Sequence, residues 1–267
     1  MPFLELESSP HAAGVSPVQI HYRDVGSGRT VVFLHGGWGY GTYPIERQIS
    51  ALRDVRFVIP DRSGHGRSSD FPSDLPIDFH QRAAEETLLV LDALGIERAV
   101  FWGHSDGAVI AAMIGLCAPE RCERVVLEAF HSCRNKLRSN DIFFRRFAEH
   151  PEEIGGKLQA LLAADHGEER WKNIVRRNCR VWLRLAAESS RPDEDLYGGR
   201  LSKLRVPVVF MHGRGDPRTE PGEIERAHAL VAGSEMRWIE DGRHSPHSEE
   251  ASWKECSEIL RGSIAQK

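Results

Sequence analysis

No apolar run in the chain approaches the roughly 20 residues that a membrane span needs. The opening MPFLELESSP holds no basic stretch leading into an apolar one. Charge of one sign is also scarce. Lys and Arg number 35 against 39 Asp and Glu, a formal net charge of −4, which creates no field to attract nucleic acid or an anionic membrane. Cysteine is sparse and odd in number: Cys117, Cys122, Cys133, Cys179 and Cys256 follow neither a disulfide framework nor metal-ligand spacing. They read as thiols in a reducing cytoplasm. No cluster of His, Cys, Asp and Glu has ligand spacing, so no metal is expected. The G-x-G-x-x-G spacing and the Gly-Lys-Ser/Thr ending of a P-loop are missing too, which excludes the nucleotide reading. The expectation is a cytoplasmic protein without a cofactor, whose partners are a small molecule and water. Oligomeric state is not legible.

What is present is an alternation of strand and helix. With 267 residues, 40% of them hydrophobic, the chain is long enough for one large core. Thr30–Leu34, Val55–Ile59, Ala99–Trp102 and Val125–Leu127 are short apolar runs of the buried-strand kind. Asp78–Leu94 places Phe79, Ala83, Thr87, Leu88, Leu91 and Leu94 at helical spacing, and Gly95 stops it. This order predicts an α/β protein with a mostly parallel sheet and helices on both faces. Val18–Tyr22 is expected as an antiparallel edge strand. From His131 to Arg200 the strand signal lapses. Large aromatics (Phe143, Phe144, Phe147, Trp171, Trp182) sit there in helical stretches interrupted at Gly155–Gly156 and Arg191–Pro192. Strand signals resume at Val206–Met211 and Met236–Ile239. The division predicted is a core of 1–130 and 201–267 with a helical cap of 131–200 over its active edge.

The chemistry-bearing stretch is Gly103-His104-Ser105-Asp106-Gly107, between a strand and a helix expected over Ala108–Cys117. A sharp strand-to-helix turn needs small residues two before and two after the serine, and it lifts the hydroxyl above the sheet. A plain N-cap serine would explain Ser105 and one glycine, not the rest. A serine hydroxyl needs a base. His244, in "EDGRHSPHSEE" ahead of a last helix expected to begin near His247, is that base, with His247 as runner-up. Asp216, in a loop shaped by Gly213, Gly215 and Pro217, is the acid that orients it, with Glu128 as second candidate. Behind the Thr30–Leu34 strand, His35-Gly36-Gly37-Trp38 turns backbone N–H groups toward the site. One from Gly37 or Trp38 and one from Asp106 form an oxyanion pair, each donor contributing about 2.7–4 kcal/mol.

These residues, with "DRSGHGRSS" at Asp61–Ser69, resemble the α/β-hydrolase family in identity and in chain order, Ser then Asp then His. The resemblance runs from about Val18 to the C-terminus. It implies a Ser105–His244–Asp216 triad that cleaves a small carboxylic ester through an acyl-enzyme. Ser105 disfavours the members that use an aspartate nucleophile. Ser105-Asp106-Gly107 and the aromatics of Trp171–Trp182 are most similar to the valacyclovirase-like branch of amino-acid-ester hydrolases. That likeness implies an Asp106 carboxylate that holds a substrate ammonium. Ala108 departs from the branch, standing where it has a second glycine. A negative charge in a helix's first turn is favourable by about 0.3–1 kcal/mol without any ligand, so both readings of Asp106 stand. Trp38 and Tyr40 are candidate substrate-binding residues, with a plug between cap and sheet as the plainer role. Asp61 and Arg62 are assigned to their turn, Arg62 alternatively to the pocket mouth, and His104 to packing. Carbon–carbon hydrolysis of a vinylogous diketone, amide cleavage as in proline iminopeptidases, and a non-catalytic ligand-binding homologue are the alternative functions.

Overall fold

A computed structural model describes residues 2–71, 73–191 and 193–265; Pro192, one of the expected interruptions, lies outside them. The elements follow in the order β1 (Phe3–Leu6), β2 (Val18–Val25), β3 (Arg29–Leu34), α1 (Glu46–Ala51), β4 (Val55–Pro60), α2 (Phe79–Ala93), β5 (Ala99–His104), α3 (Asp106–Cys117) and β6 (Cys122–Glu128). After these come α4 (Arg146–Glu149), α5 (Gly156–His166), α6 (Trp171–Ala187), β7 (Val208–Gly213), α7 (Glu223–Leu230), β8 (Glu235–Ile239) and α8 (Trp253–Ala265). The strands form one eight-stranded sheet in the order β1-β2-β4-β3-β5-β6-β7-β8. β1 and β2 run antiparallel to their neighbours, and from β4 to β8 every pairing is parallel.

The strands alternate their burial in the way a two-sided sheet requires. Val32, Leu34, Phe101, Val125, Leu127 and Phe210 face one core, built with α2, α3 and α7. Val31, Phe33, Val100, Trp102, Val126, Val209 and Met211 face the other, closed by Ile45, Leu52 and the α8 residues Cys256, Leu260 and Ile264. α3 is apolar almost all round, and it buries Asp106–Ala112, Ile114 and Gly115. Between β6 and β7 the described residues are helical or in turns, with one isolated bridge among them, Cys133 to Asp195, outside the named strands. α6 buries Trp171, Ile174, Val175, Asn178, Cys179, Val181, Trp182 and Leu185, the i, i+3, i+4, i+7 stripe of an amphipathic helix. That stripe packs with Trp38, Phe71 and Phe144 in a third core.

Three expectations are corrected. β2 is not the edge of the sheet, because β1 pairs outside it, Leu4 opposite Ile20. β1 has only four residues, one of them buried, too short to show a period. α3 starts at Asp106, two residues before the expected Ala108, so the helix begins directly at the serine. The last helix starts at Trp253, not near His247. The intervening residues make turns, with Ser248 N donating to Ser245 O at 2.9 Å and Ser252 Oγ to Pro246 O at 2.8 Å.

The approach of α3 to the sheet sets the tightest steric limit. A Cβ at Gly107 would collide with the Leu34 carbonyl, and one at Gly103 with the Gly107 carbonyl. Gly107→Ala is therefore expected to cost about 3 kcal/mol or more, as overpacking against rigid backbone does. Gly262→Ala in α8, where a Cβ meets nothing within 4 Å, should instead stabilise by about 0.5–1 kcal/mol. Urea denaturation of the two variants checks both; equal effects would mean that the approach of α3 is not what limits position 107.

Candidate active site

Ser105 stands between β5 and α3 with φ 56° and ψ −120°, a backbone region that residues with a side chain rarely adopt. Backbone hydrogen bonds hold it there: Ser105 N donates to Glu128 O at 2.9 Å, and Ala108 N and Val109 N donate to Ser105 O at 2.8 and 3.3 Å. The strain, of order 1–3 kcal/mol, is sustained by the burial of α3.

Ser105 Oγ lies 3.2 Å from His244 Nε2, and His244 Nδ1 lies 3.0 and 3.1 Å from the two oxygens of Asp216. The three residues that the sequence singled out thus meet, although 139 positions separate Ser105 from His244. Burial pushes the Asp216 carboxyl up, but the charge and hydrogen bond of His244, the His212 ring and the Arg218 N–H outweigh it and hold it well below the usual range. Asp216 is therefore ionised, the state that favours a proton on His244 Nδ1 and a free lone pair on Nε2. A second ring was not foreseen: His131 Nε2 is 3.5 Å from Ser105 Oγ, and its ring is nearly parallel to that of His244 at 5.8 Å. Burial and the nearby Lys136 charge keep His131 neutral, far below its ordinary pKa. Among the described residues no carboxylate hydrogen-bonds to it, and its Nδ1 is buried without a partner. The signal for it was its place just after β6.

The loop after β3 is turned by its carbonyls. Arg62 Nη1 donates to His35 O at 2.7 Å and Nη2 to Gly36 O at 2.9 Å. His65 Nε2 meets Gly37 O at 3.1 Å, and His166 Nε2 meets Trp38 O at 2.9 Å. Four successive carbonyls are thus held by side chains, leaving the N–H groups of Gly37 and Trp38 without an acceptor among the described residues. Asp106 N–H opens α3, where a helix offers its first residues no acceptor. Gly36, Gly37, Trp38, Ser105 and Asp106 all line one cavity with about 410 Å³ of empty space, its open mouth included. Arg62 is fully interior, and burial lowers its pKa to about 10, so it stays charged. Its task is the loop rather than the pocket mouth.

His131, Phe144, Asn178, Trp182, Arg218 and His244 complete the walls with Tyr43 and His104. Trp38 belongs to this lining. Tyr40 does not: its ring packs in the core against Phe33, and its hydroxyl donates to Glu46 at 2.8 Å and accepts from Arg23 at 2.7 Å. Tyr43 takes the wall position instead. The Asp106 carboxylate accepts from His80 Nε2 at 3.1 Å, Trp182 Nε1 at 3.0 Å and Asn178 Nδ2 at 2.6 Å. Asn178 and Trp182 lie one turn apart on α6. Three donors leave roughly one of a carboxylate's four acceptor positions. Burial alone raises the Asp106 pKa, but His80, Arg62 and Asn178 outweigh it and keep the group ionised.

The two runner-up residues form a second couple. His247 Nδ1 is 2.8 Å from Glu128 Oε1, and His247 Nε2 is 2.9 Å from Tyr43 O. Trp102 Nε1 donates to the other Glu128 oxygen at 2.9 Å. With an acceptor facing each ring nitrogen, His247 has no lone pair free for a serine. Burial pulls its pKa down, yet Glu128 more than reverses this, and the net shift is upward. Glu128 is shifted downward, its own burial being outweighed by His247.

Comparison with known proteins agrees with this architecture. Residues 31–256 match the model of the alpha/beta hydrolase family. "Serine hydrolase BPHL" of Homo sapiens is 25% identical over 240 residues, covering 87% of this chain and 79% of that protein. The "2-hydroxy-6-oxo-6-phenylhexa-2,4-dienoate hydrolase" of Burkholderia cepacia is 32% identical over 225 residues, covering 76% and 77%. Among solved structures, a thermophilic esterase from Thermogutta terrifontis superimposes with a TM-score of 0.71 at 20% identity, covering 98% of this chain and 97% of that one.

The Glu128–His247 couple gives a pH signature. The raised His247 pKa contributes stability that is complete below about 6.5, the unfolded value, and is lost as pH rises through the folded one. The lowered Glu128 pKa contributes stability present above about 4.5 and lost as pH falls through its folded value. Glu128→Gln should therefore destabilise most between about pH 4.5 and 6.5, by about 3 kcal/mol or more, with the deficit shrinking toward pH 9. Chemical denaturation at five pH values measures it; a deficit constant from pH 5 to 9 would mean that the couple is not ionised.

Proposed function

From the premise that the chain belongs to the alpha/beta hydrolase family, and is a hydrolase, we propose that it cleaves small carboxylic esters with Ser105 as nucleophile, His244 as base and Asp216 as orienting acid. The observation that carries this reading is the continuous line from Ser105 Oγ to His244 Nε2 at 3.2 Å and from His244 Nδ1 to Asp216 at 3.0 Å, in one cavity with the Gly37 and Trp38 amides, which meet no acceptor among the described residues.

His244 Nε2 takes the Ser105 proton as Oγ attacks the acyl carbon. The carbonyl oxygen, gaining negative charge, moves toward the N–H groups of Gly37 or Trp38 and of Asp106. His244 then hands the proton to the leaving alkoxide, and the alcohol departs. A water activated by the same ring attacks the acyl-enzyme and releases the acid. His131 also reaches Oγ, but His244 alone has a carboxylate on its far nitrogen to stabilise the imidazolium. The Asp106 carboxylate, with its three donors, holds α6 against the elbow and keeps the amide of Asp106 directed into the cavity.

Short-chain p-nitrophenyl esters test the reading. The wild type should turn them over and show a burst of p-nitrophenol, with the acyl group recovered on the peptide that contains Ser105. Ser105→Ala and His244→Ala should be nearly inactive, a loss of about 10⁴-fold or more. Asp216→Asn should stay folded and lose about 10²–10⁴-fold, and His131→Gln should lose far less than His244→Ala. Turnover that survives in Ser105→Ala, or a folded but dead Glu128→Gln beside a fully active Asp216→Asn, would refute the assignment. Asp106→Asn should lower kcat/KM equally for an aminoacyl ester and its des-amino analogue. A loss confined to the aminoacyl ester would instead make the carboxylate an ammonium reader.

A further inference from the structure

One charged group in the cavity wall is left without work by this mechanism. Arg218 follows Asp216 by two residues, and its backbone N–H donates to Asp216 Oδ1 at 2.8 Å, which ties its position to the triad. Its side chain lines the cavity together with Ser105 and His244. The guanidinium carbon lies 3.3 Å from the centre of the Phe143 ring and 5.6 Å from that of Trp38, and the two rings stack on each other at 5.0 Å. No hydrogen-bond acceptor and no carboxylate within 4.0 Å meets this guanidinium among the described residues.

Arg218 is half-buried, its guanidinium held between the Phe143 ring and the cavity. Burial lowers its pKa from the ordinary arginine value, yet a guanidinium keeps its charge in proteins. The nearby anions are already engaged: Asp216 with His244, Asp106 with His80, Asn178 and Trp182. A guanidinium laid on an aromatic face retains its N–H groups around its rim, the geometry that accepts a carboxylate side-on. Tyr43, whose hydroxyl has no partner among the described residues, lines the same cavity. A cavity wall that holds a half-buried guanidinium with no carboxylate partner among the described residues, beside the Tyr43 hydroxyl, is complementary to an anion.

We propose that Arg218 binds a second, ionised carboxylate on the substrate, so that this hydrolase acts on esters or lactones that also carry a free carboxylate. The proposal rests on the reading of Ser105 and His244 as nucleophile and base, and it names the substrate class of that same site. It runs against the ammonium preference that the residues around Asp106 suggest from sequence.

Two substrate pairs test it, each an acid against its neutral amide. With the charge on the acyl side, the pair is monoethyl glutarate and ethyl glutaramate. With the charge on the alcohol side, it is the butanoyl ester of glycolate and that of glycolamide. In at least one pair the wild type should favour the acid in kcat/KM by about tenfold to a hundredfold, the range of a charge-assisted hydrogen bond. Arg218→Gln should collapse that ratio toward one, and Arg218→Lys should keep part of it. Glutarate should also raise the melting temperature of Ser105→Ala, and should do so less when Arg218→Gln is added. A wild-type ratio at or below one in both pairs, or a ratio that Arg218→Gln leaves in place, overturns the proposal. If turnover in that case still depends on Ser105, the hydrolase reading stands without it. If the wild type hydrolyses no ester at all, both fall together.

Discussion

The close approach of α3 to the ends of β3 and β5 is the constraint from which the site follows. Where a helix backbone meets a strand carbonyl with room for no Cβ, only Gly103 and Gly107 are admissible, and the residue between them must turn sharply. Ser105 therefore takes a positive φ of 56°. That one dihedral lifts its hydroxyl out of the sheet, sets the amide of Asp106 at the open start of α3 and points the Asp106 carboxylate toward α6. The elbow is also fastened to its neighbour strand, since the Ser105 amide donates to Glu128 O at 2.9 Å. Strain of a few kcal/mol is small beside the apolar surface that α3 buries.

Asp216–His244 and Glu128–His247 both sit at this end of the sheet, and access decides what each does. Asp216–His244 leaves one ring nitrogen facing Ser105, so its charge can form and dissipate during a reaction. Glu128–His247 has an acceptor at both ring nitrogens, so its proton has nowhere useful to go. His104 lies between them, 5.3 Å from the His244 ring and 5.1 Å from the His247 ring. Burial holds it near a pKa of about 3, hence neutral. Its Nε2 meets the His244 carbonyl at 2.9 Å and Ser245 Oγ at 3.0 Å. A neutral ring there separates a structural charge pair from the pair that faces the serine.

What was legible in the sequence is what periodicity and local sterics determine. The parallel strands announced themselves as apolar runs, and the elbow through its two glycines. The helical segment between β6 and β7 showed as a lapse of strand signal. What escaped depended on contacts between distant residues. β1 has four residues and one buried side chain, which no period resolves. Tyr40 and Tyr43 follow the same glycine loop, and only the fold shows that Tyr40 turns to Phe33 and Glu46 while Tyr43 faces the cavity. His65 and His166 look like ordinary loop and helix-end residues. Their function, holding the carbonyls of Gly37 and Trp38, spans 28 and 128 positions of chain. Arg218 in "DPRT" reads as a turn residue until Phe143 is seen beneath it.

The charges around the cavity differ in how they are compensated, and this is what gives the pocket a polarity. The Asp106 charge is met by three dipoles, from a neutral His80, Asn178 and Trp182, with Arg62 behind it. Arg62 donates from both Nη atoms to two backbone carbonyls. Asp216 is satisfied by His244 and by the backbone of Arg218. In each case hydrogen bonds at short range replace the water lost on burial, as a low-dielectric interior demands. The Arg218 guanidinium is the exception on this wall, since an aromatic face compensates a cation more weakly than a carboxylate does. A site whose acid groups are already hydrogen-bonded and whose Arg218 is not leaves the guanidinium as the charged group with donors to spare for a ligand.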